Sequence, residues 1–338
     1  MVVCPYCEND SSQHPDDSAD EQVFMCATCY EVFLTARSAS GFSSKPAALP
    51  LTLASNRAPG SAMEDVFACL DESISLLPTI PRVPQQVIAA IQDPGTTSED
   101  LALMINEDAA LTMRVLKLAN SVAFGSRQPT SDLKLACSRL GMRNLTNIAQ
   151  VVAHAHLFRV GNPAFETLRC RQWAHAVATA RLAEVLALPS GGVLPRTVFL
   201  SGLVHDIGKT VLLDAITTPR AGAASRFVED LEMLGHILDE FAPYAGLRVA
   251  QHWMLPVEVR FSTYYSRYPL SAPETFRSQT IFVALASDIA ELSGYGITGK
   301  PLHDIDELAA ALTNETAPVE LLERASAEVD PFLAAARS

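Results

Sequence analysis

Residues 98–121 read SEDLALMINEDAALTMRVLKLANS, and their spacing sets the class of the fold. Leu, Ala and Val recur every three to four positions, the period of a helix with one buried face. Just upstream, Thr96 stands three residues before Glu99, a spacing that resembles a capping box at a helix start. At the far end, Asn120 and Ser121 are residue types that terminate a helix through side-chain bonds to the backbone. The same period spreads outward. It runs through VPQQVIAAIQ (83–92), which stops before Asp93-Pro94-Gly95, and through NLTNIAQVVAHAHLF (144–158) and RQWAHAVATARLAEVLAL (171–188). It continues in RTVFLSGLVHDIGKTVLLDAI (196–216), EDLEMLGHILDEFA (229–242), AGLRVAQHWML (245–255) and QTIFVALASDIAELSG (279–294). Convincing strand alternation is missing from this region. The expectation is an all-α domain over residues 64–300, followed by a C-terminal helical extension over 301–338 in which no chemistry is evident.

The other end of the chain is different in kind. Residues 1–35 are short, polar and cysteine-bearing, and residues 36–63 are rich in Ser, Ala, Pro and Gly without periodicity, which reads as a flexible linker. Cys4-Pro5-Tyr6-Cys7 and Cys26-Ala27-Thr28-Cys29 form two CxxC pairs separated by 18 residues. Four thiolates from two such knuckles suit a tetrahedral zinc ion at about 2.3 Å. The expectation is a small β-rich zinc ribbon whose structural zinc is held by Cys4, Cys7, Cys26 and Cys29. So short a segment has too little core to fold without its metal. A redox CxxC is the alternative. Cys69, Cys137 and Cys170 lie in apolar helical sequence and read as buried small hydrophobes.

Charge bounds the partners. With 25 Lys and Arg against 38 Asp and Glu, the net charge is -13, and no basic stripe is present. Duplex binding draws its affinity from neutralised phosphates, so nucleic acid is disfavoured. Residues 1–36 hold seven acidic residues and no Lys or Arg, so the ribbon too is read as a protein-binding module. No apolar stretch reaches the length of a bilayer span, and the start MVVCPYCEND has neither a basic nor an apolar region. The expectation is a cytoplasmic chain without membrane contact.

At LPTIPRVPQQVIAAIQDPGTTSEDLALMINEDAALTMRVLKLANSVAFG (77–125) the sequence resembles the amino-terminal half of an HDOD domain. The Leu118–Ser121 element, the Leu140-Gly141 pair, GLVHDIGK (202–209) and HWMLP (252–256) extend the likeness. The resemblance implies a fold related to metal-dependent HD phosphohydrolases, a family whose catalytic residues are often degraded. It maps a divalent-metal site onto His175, His205, Asp206 and Asp288, with Lys209 placed to meet a phosphate. It also implies that two-metal relatives carry further histidines near the position of Ala242 and where Tyr264-Tyr265 stand here, so a second metal is not expected.

Against this stands a plainer reading, in which His205 and Asp206 are a hydrogen-bonded pair between Gly202 and Gly208 that pins helices together. Helical neighbours diverge by about 100°, so adjacency alone does not make them joint ligands. Lys209 likewise reads as a helix-end cation. His303-Asp304 lies in polar sequence after Pro301 and reads as a surface loop. The preferred reading is a regulatory signalling protein, non-catalytic, that contacts other signalling proteins such as a diguanylate cyclase or a kinase. A mononuclear phosphohydrolase acting on a nucleotide or cyclic dinucleotide is the alternative, and a module that binds a nucleotide ligand without turnover is the third.

Overall fold

The computed structural model describes residues 2–3, 10–11, 21–25, 32–38, 41–46, 69–70, 72–77, 81–124, 129–155, 165–217, 231–296, 299–312 and 318–336. Near the amino terminus these are strands: β1 (Val2–Val3) pairs with β2 (Asp10–Ser11), and β3 (Glu21–Met25), β4 (Val32–Ser38) and β5 (Gly41–Pro46) form an antiparallel sheet. The β4–β5 pairing sets Ser38 opposite Gly41 and Phe33 opposite Pro46, so strand pairing runs into the stretch read as linker. Small residues there hid the strand, because Ser and Ala give no period-2 apolar signal. Cys4, Cys7, Cys26 and Cys29, and with them the zinc reading, lie outside the described residues.

From residue 81 the described elements are helical. They are α1 (Arg82–Ala90), α2 (Ser98–Asn106), α3 (Ala109–Ala119), α4 (Leu133–His154), α5 (Glu166–Ala187), α6 (Pro195–Val204), α7 (Ile207–Thr217), α8 (Leu231–His252), α9 (Val257–Tyr264), α10 (Glu274–Ala290), α11 (Ile305–Ala310) and α12 (Pro318–Ala336). The opening stretch folds as two helices. The start of α2 is a capping box shifted by one from the sequence reading: Thr97 Oγ1 accepts from Asp100 N at 3.2 Å, and Asp100 Oδ2 accepts from Thr97 N at 2.9 Å. Thr96 turns back to the carbonyl of Ala90 instead, at 2.7 Å. Asn120 ends α3 and also fastens the returning chain, donating to Thr130 O at 2.9 Å and accepting from Thr130 N at 2.8 Å. The Leu140-Gly141 pair breaks α4, because Gly141 takes φ 70°, which a side chain disfavours.

Helix α5 is buried on nearly all sides from Ala174 to Ala187, against α6, α10 and α12. A helix so enclosed is ordinarily apolar all round, yet α5 buries His175, Thr179, Arg181 and Glu184, and such side chains call for partners. Close crossings set its neighbours. A methyl on Gly202 of α6 would lie 2.7 Å from Ala180 Cα, and one on Gly208 of α7 would overlap the Ala242 carbonyl of α8. The small residues read as packing points are therefore where α6 meets α5 and α7 meets α8.

Two readings change. The segments 229–242 and 245–255 form one helix, α8, which runs through Pro243. Proline has no N–H to give the carbonyl four residues earlier, that of Asp239. That oxygen accepts from Arg267 Nη1 at 3.1 Å instead. The carboxy-terminal extension is helical as read, and Val329, Phe332 and Leu333 of α12 join the main core with Phe199 and Phe282. Each such side chain contributes about 1.5–3 kcal/mol by burial. Cys69 and Cys137 are buried as read, but Cys170 is exposed on the first turns of α5. No helix among the described residues is long and apolar enough to cross a membrane.

Candidate functional site

His175 enters the site from α5. His205 and Asp206 sit where α6 ends and α7 begins, not inside one helix. The break lets adjacent residues face one place, and ligand atoms of His175, His205 and Asp206 lie within 4.8 Å of one another. They open into a cleft of about 250 Å³, also lined by Lys209, Asp239, Arg267, Ser287, Asp288, Glu291 and His303.

A hydrogen bond fixes what the His205 ring offers. His205 Nδ1 lies 2.8 Å from the carbonyl of Gly202, which only accepts, so Nδ1 carries the proton. Its Nε2 is buried without a hydrogen-bond partner, and in the neutral ring it holds a lone pair. His175 Nε2 meets Ser287 Oγ at 3.1 Å, while Nδ1 is likewise buried and unbonded, 4.0 Å from Glu291 Oε1. The two ring centroids are 5.3 Å apart.

Burial, helped by the facing His205, pushes the His175 pKa down to about 4. Burial also lowers that of His205, partly opposed by Asp206. Both rings are thus held neutral, the ligand form of imidazole. Burial would raise the Asp206 pKa, but Lys209 and the two histidines outweigh it and hold the carboxyl well below the ordinary range. Lys209 Nζ lies 2.8 Å from Asp206 and 3.4 Å from Asp239, and these carboxylates raise its pKa against the effect of burial. Two buried ring nitrogens without hydrogen bonds, beside a carboxylate, fit a divalent cation.

Asp288 does not join them. It lines the same cleft, 1% exposed, with both oxygens hydrogen-bonded: Oδ1 accepts from Leu302 N at 2.7 Å, and Oδ2 meets His303 Nδ1 at 2.8 Å. The expected quartet is therefore a trio plus a carboxylate engaged elsewhere. His303, read as surface loop, lines the cleft, whereas its neighbour Asp304 caps α11 by accepting from Asp306 N at 3.0 Å and Glu307 N at 3.1 Å. Ser287 and Glu291 were also missed. They flank Asp288 on the turn that faces His175, a position that helical phase alone could have flagged. Tyr264 and Tyr265 are absent from the cleft lining; they pack with Phe261 and Phe276.

Residues 77–269 match the family described as HDOD domain, more than half of the chain. Over 226 residues the chain is 26% identical to an uncharacterized protein of Treponema pallidum (strain Nichols), covering 65% of this chain and 43% of that protein. It therefore spans less than half the length of that curated relative. An HDOD domain protein of unknown function from Geobacter sulfurreducens superposes with a TM-score of 0.63 at 21% identity, covering 82% of this chain and 98% of the other. A protein of Shewanella amazonensis SB2B, provisionally described as a metal-dependent phosphohydrolase, gives 0.59 at 21% identity over 82% and 100% of the two chains. One from Marinobacter aquaeolei VT8, provisionally described as a signal transduction protein, gives 0.59 at 17% identity over 95% and 76%. These similarities carry the fold.

Proposed function

The chain belongs to the HDOD family, and from that premise we propose that it is a regulatory signal-transduction protein that binds other signalling proteins without turnover. The observation that carries this is the incomplete cation cage. Three donors converge, Asp288 is engaged by Leu302 and His303, and the positions of Ala242, Tyr264 and Tyr265 offer no imidazole for a second ion. A diguanylate cyclase or a kinase is the partner class. Cys4, Cys7, Cys26 and Cys29 are assigned a structural zinc, and the acidic ribbon a second contact surface.

A second reading is favoured by the two unbonded ring nitrogens beside Lys209. In it the trio of His175, His205 and Asp206 holds one divalent cation, which when bound would supply a Lewis acid and an activated water. Lys209 would orient a phosphate of a nucleotide or cyclic dinucleotide, to be hydrolysed or only sensed.

Metal analysis and hydrolysis of bis(p-nitrophenyl) phosphate separate the two. The regulatory reading expects no turnover, and it expects a His205→Ala, Asp206→Ala variant to keep one zinc per chain. Capture of a signalling enzyme by the full chain, weakened when residues 1–35 are removed, supports it. Metal-dependent hydrolysis by the wild type, lost in the double variant, would replace it with the phosphohydrolase.

A further inference from the structure

The outer edge of the cleft is a strap, residues 299–303, which follows the last turn of the α10 segment. Its donors fall on two carboxylates of the cleft lining, Glu291 and Asp288. Gly299 N donates to Glu291 Oε2 at 2.8 Å, Leu302 N to Asp288 Oδ1 at 2.7 Å, and His303 Nδ1 to Asp288 Oδ2 at 2.8 Å. The second ring nitrogen of His303 rests 3.2 Å from the carbonyl of Arg267, which fixes the plane of the ring. The Asp288 carboxylate, 1% exposed, must be answered by donors or by a cation. Here the strap supplies the donors.

This changes what the missing fourth donor means. Asp288 lies on the cleft wall with the trio, and the residue itself is present; it is occupied. A cation that recruited it would have to break a charge-assisted hydrogen bond first, and its affinity would fall by the fraction of chains in which Asp288 is free. Loss of a ligand by mutation would be permanent, whereas occupation is reversible.

We propose that the strap holds Asp288 off the cation position, with His303 as the latch: a positioning residue that sets cation affinity without touching the ion. The proposal rests on reading His175, His205 and Asp206 as a cation site. Nothing in the family-matched stretch, which ends at residue 269, contains either half of the latch.

The test is a Mn²⁺ titration of the full chain, following the free ion by electron paramagnetic resonance. Mn²⁺ suits oxygen and nitrogen donors and leaves the four clustered thiolates aside. His303→Ala should tighten binding at least about tenfold, the lower end of what one hydrogen bond to a charged group is worth. His303→Asn, which returns an amide N–H near the place of ring Nδ1, should restore wild-type affinity. Asp288→Asn alone should change affinity less than about threefold, yet erase the gain when combined with His303→Ala.

Equal or weaker binding by a folded His303→Ala protein overturns the latch. So does a loss of more than about tenfold in Asp288→Asn with His303 intact, which would make Asp288 a ligand already. That second arm stands even where His303→Ala does not fold. Binding that requires His205 but ignores His303 sinks the latch alone. Binding that ignores His205 sinks the cation site and the latch together.

Discussion

Helix α5 carries two buried polar clusters, and they are resolved in opposite ways. On its carboxy-terminal half, Arg181 pairs with Glu184 and, at 2.7 Å, with Glu328 of α12. Asn147 of α4 donates to Glu184 at 2.8 Å, and the Phe332 ring lies under the guanidinium at 5.2 Å. Charge answers charge and three helices are tied together, although Arg181 Nε, Glu184 Oε1 and Asn147 Oδ1 are buried without a hydrogen bond of their own. Two turns earlier, His175 faces His205, and each ring keeps one buried nitrogen without a hydrogen bond. The first cluster is explained by packing. The second leaves two buried ring nitrogens facing one cleft, and it is on these that the proposed cation site rests.

The comparison can be broken from either side. Glu184→Ala should show the largest effect, about 3 kcal/mol of stability by chemical denaturation, because it removes the fully buried partner of Arg181 and Asn147 and leaves Glu328 alone to answer the guanidinium. Gly208→Ala should follow at about 2–3 kcal/mol, since the new methyl overlaps the Ala242 carbonyl and must part α7 from α8. It should also weaken cation binding by moving Asp206. Glu328→Ala removes a partly exposed partner and should cost about 1 kcal/mol, seen as faster hydrogen exchange in α12. His175→Leu should be smallest, within about 1 kcal/mol of wild type or slightly stabilising, because an apolar side chain replaces a ring with an idle nitrogen. A loss of several kcal/mol in His175→Leu would make the two clusters alike and remove the case for a binding site.

The helices were legible because their apolar faces repeat, His205-Asp206 because GLVHDIGK resembles the HD motif, and the helix crossings because Gly202 and Gly208 are small. Gly202 and Gly208 meet neighbouring backbones as that reading implied. What stayed hidden depends on contacts that no local pattern encodes. Pro243 resembles a helix end in sequence, yet α8 continues because Arg267, 24 residues onward, takes the freed carbonyl. The polar surroundings of His303 looked solvent-exposed, and only the fold brings it to Asp288. The one-residue error at the start of α2 came from counting a Thr and an acid at the right interval, when two such pairs overlap at residues 96–100.

The proline of α8 reaches further than its own helix. By vacating one carbonyl it gives the Arg267 side chain a mooring, and the main chain of Arg267 in turn steadies His303. A ring-for-methyl exchange at position 243 would return that oxygen to the helical ladder and cast the arginine loose. An imino acid in the lining of the cleft is thus joined to Asp288 through Arg267 and His303.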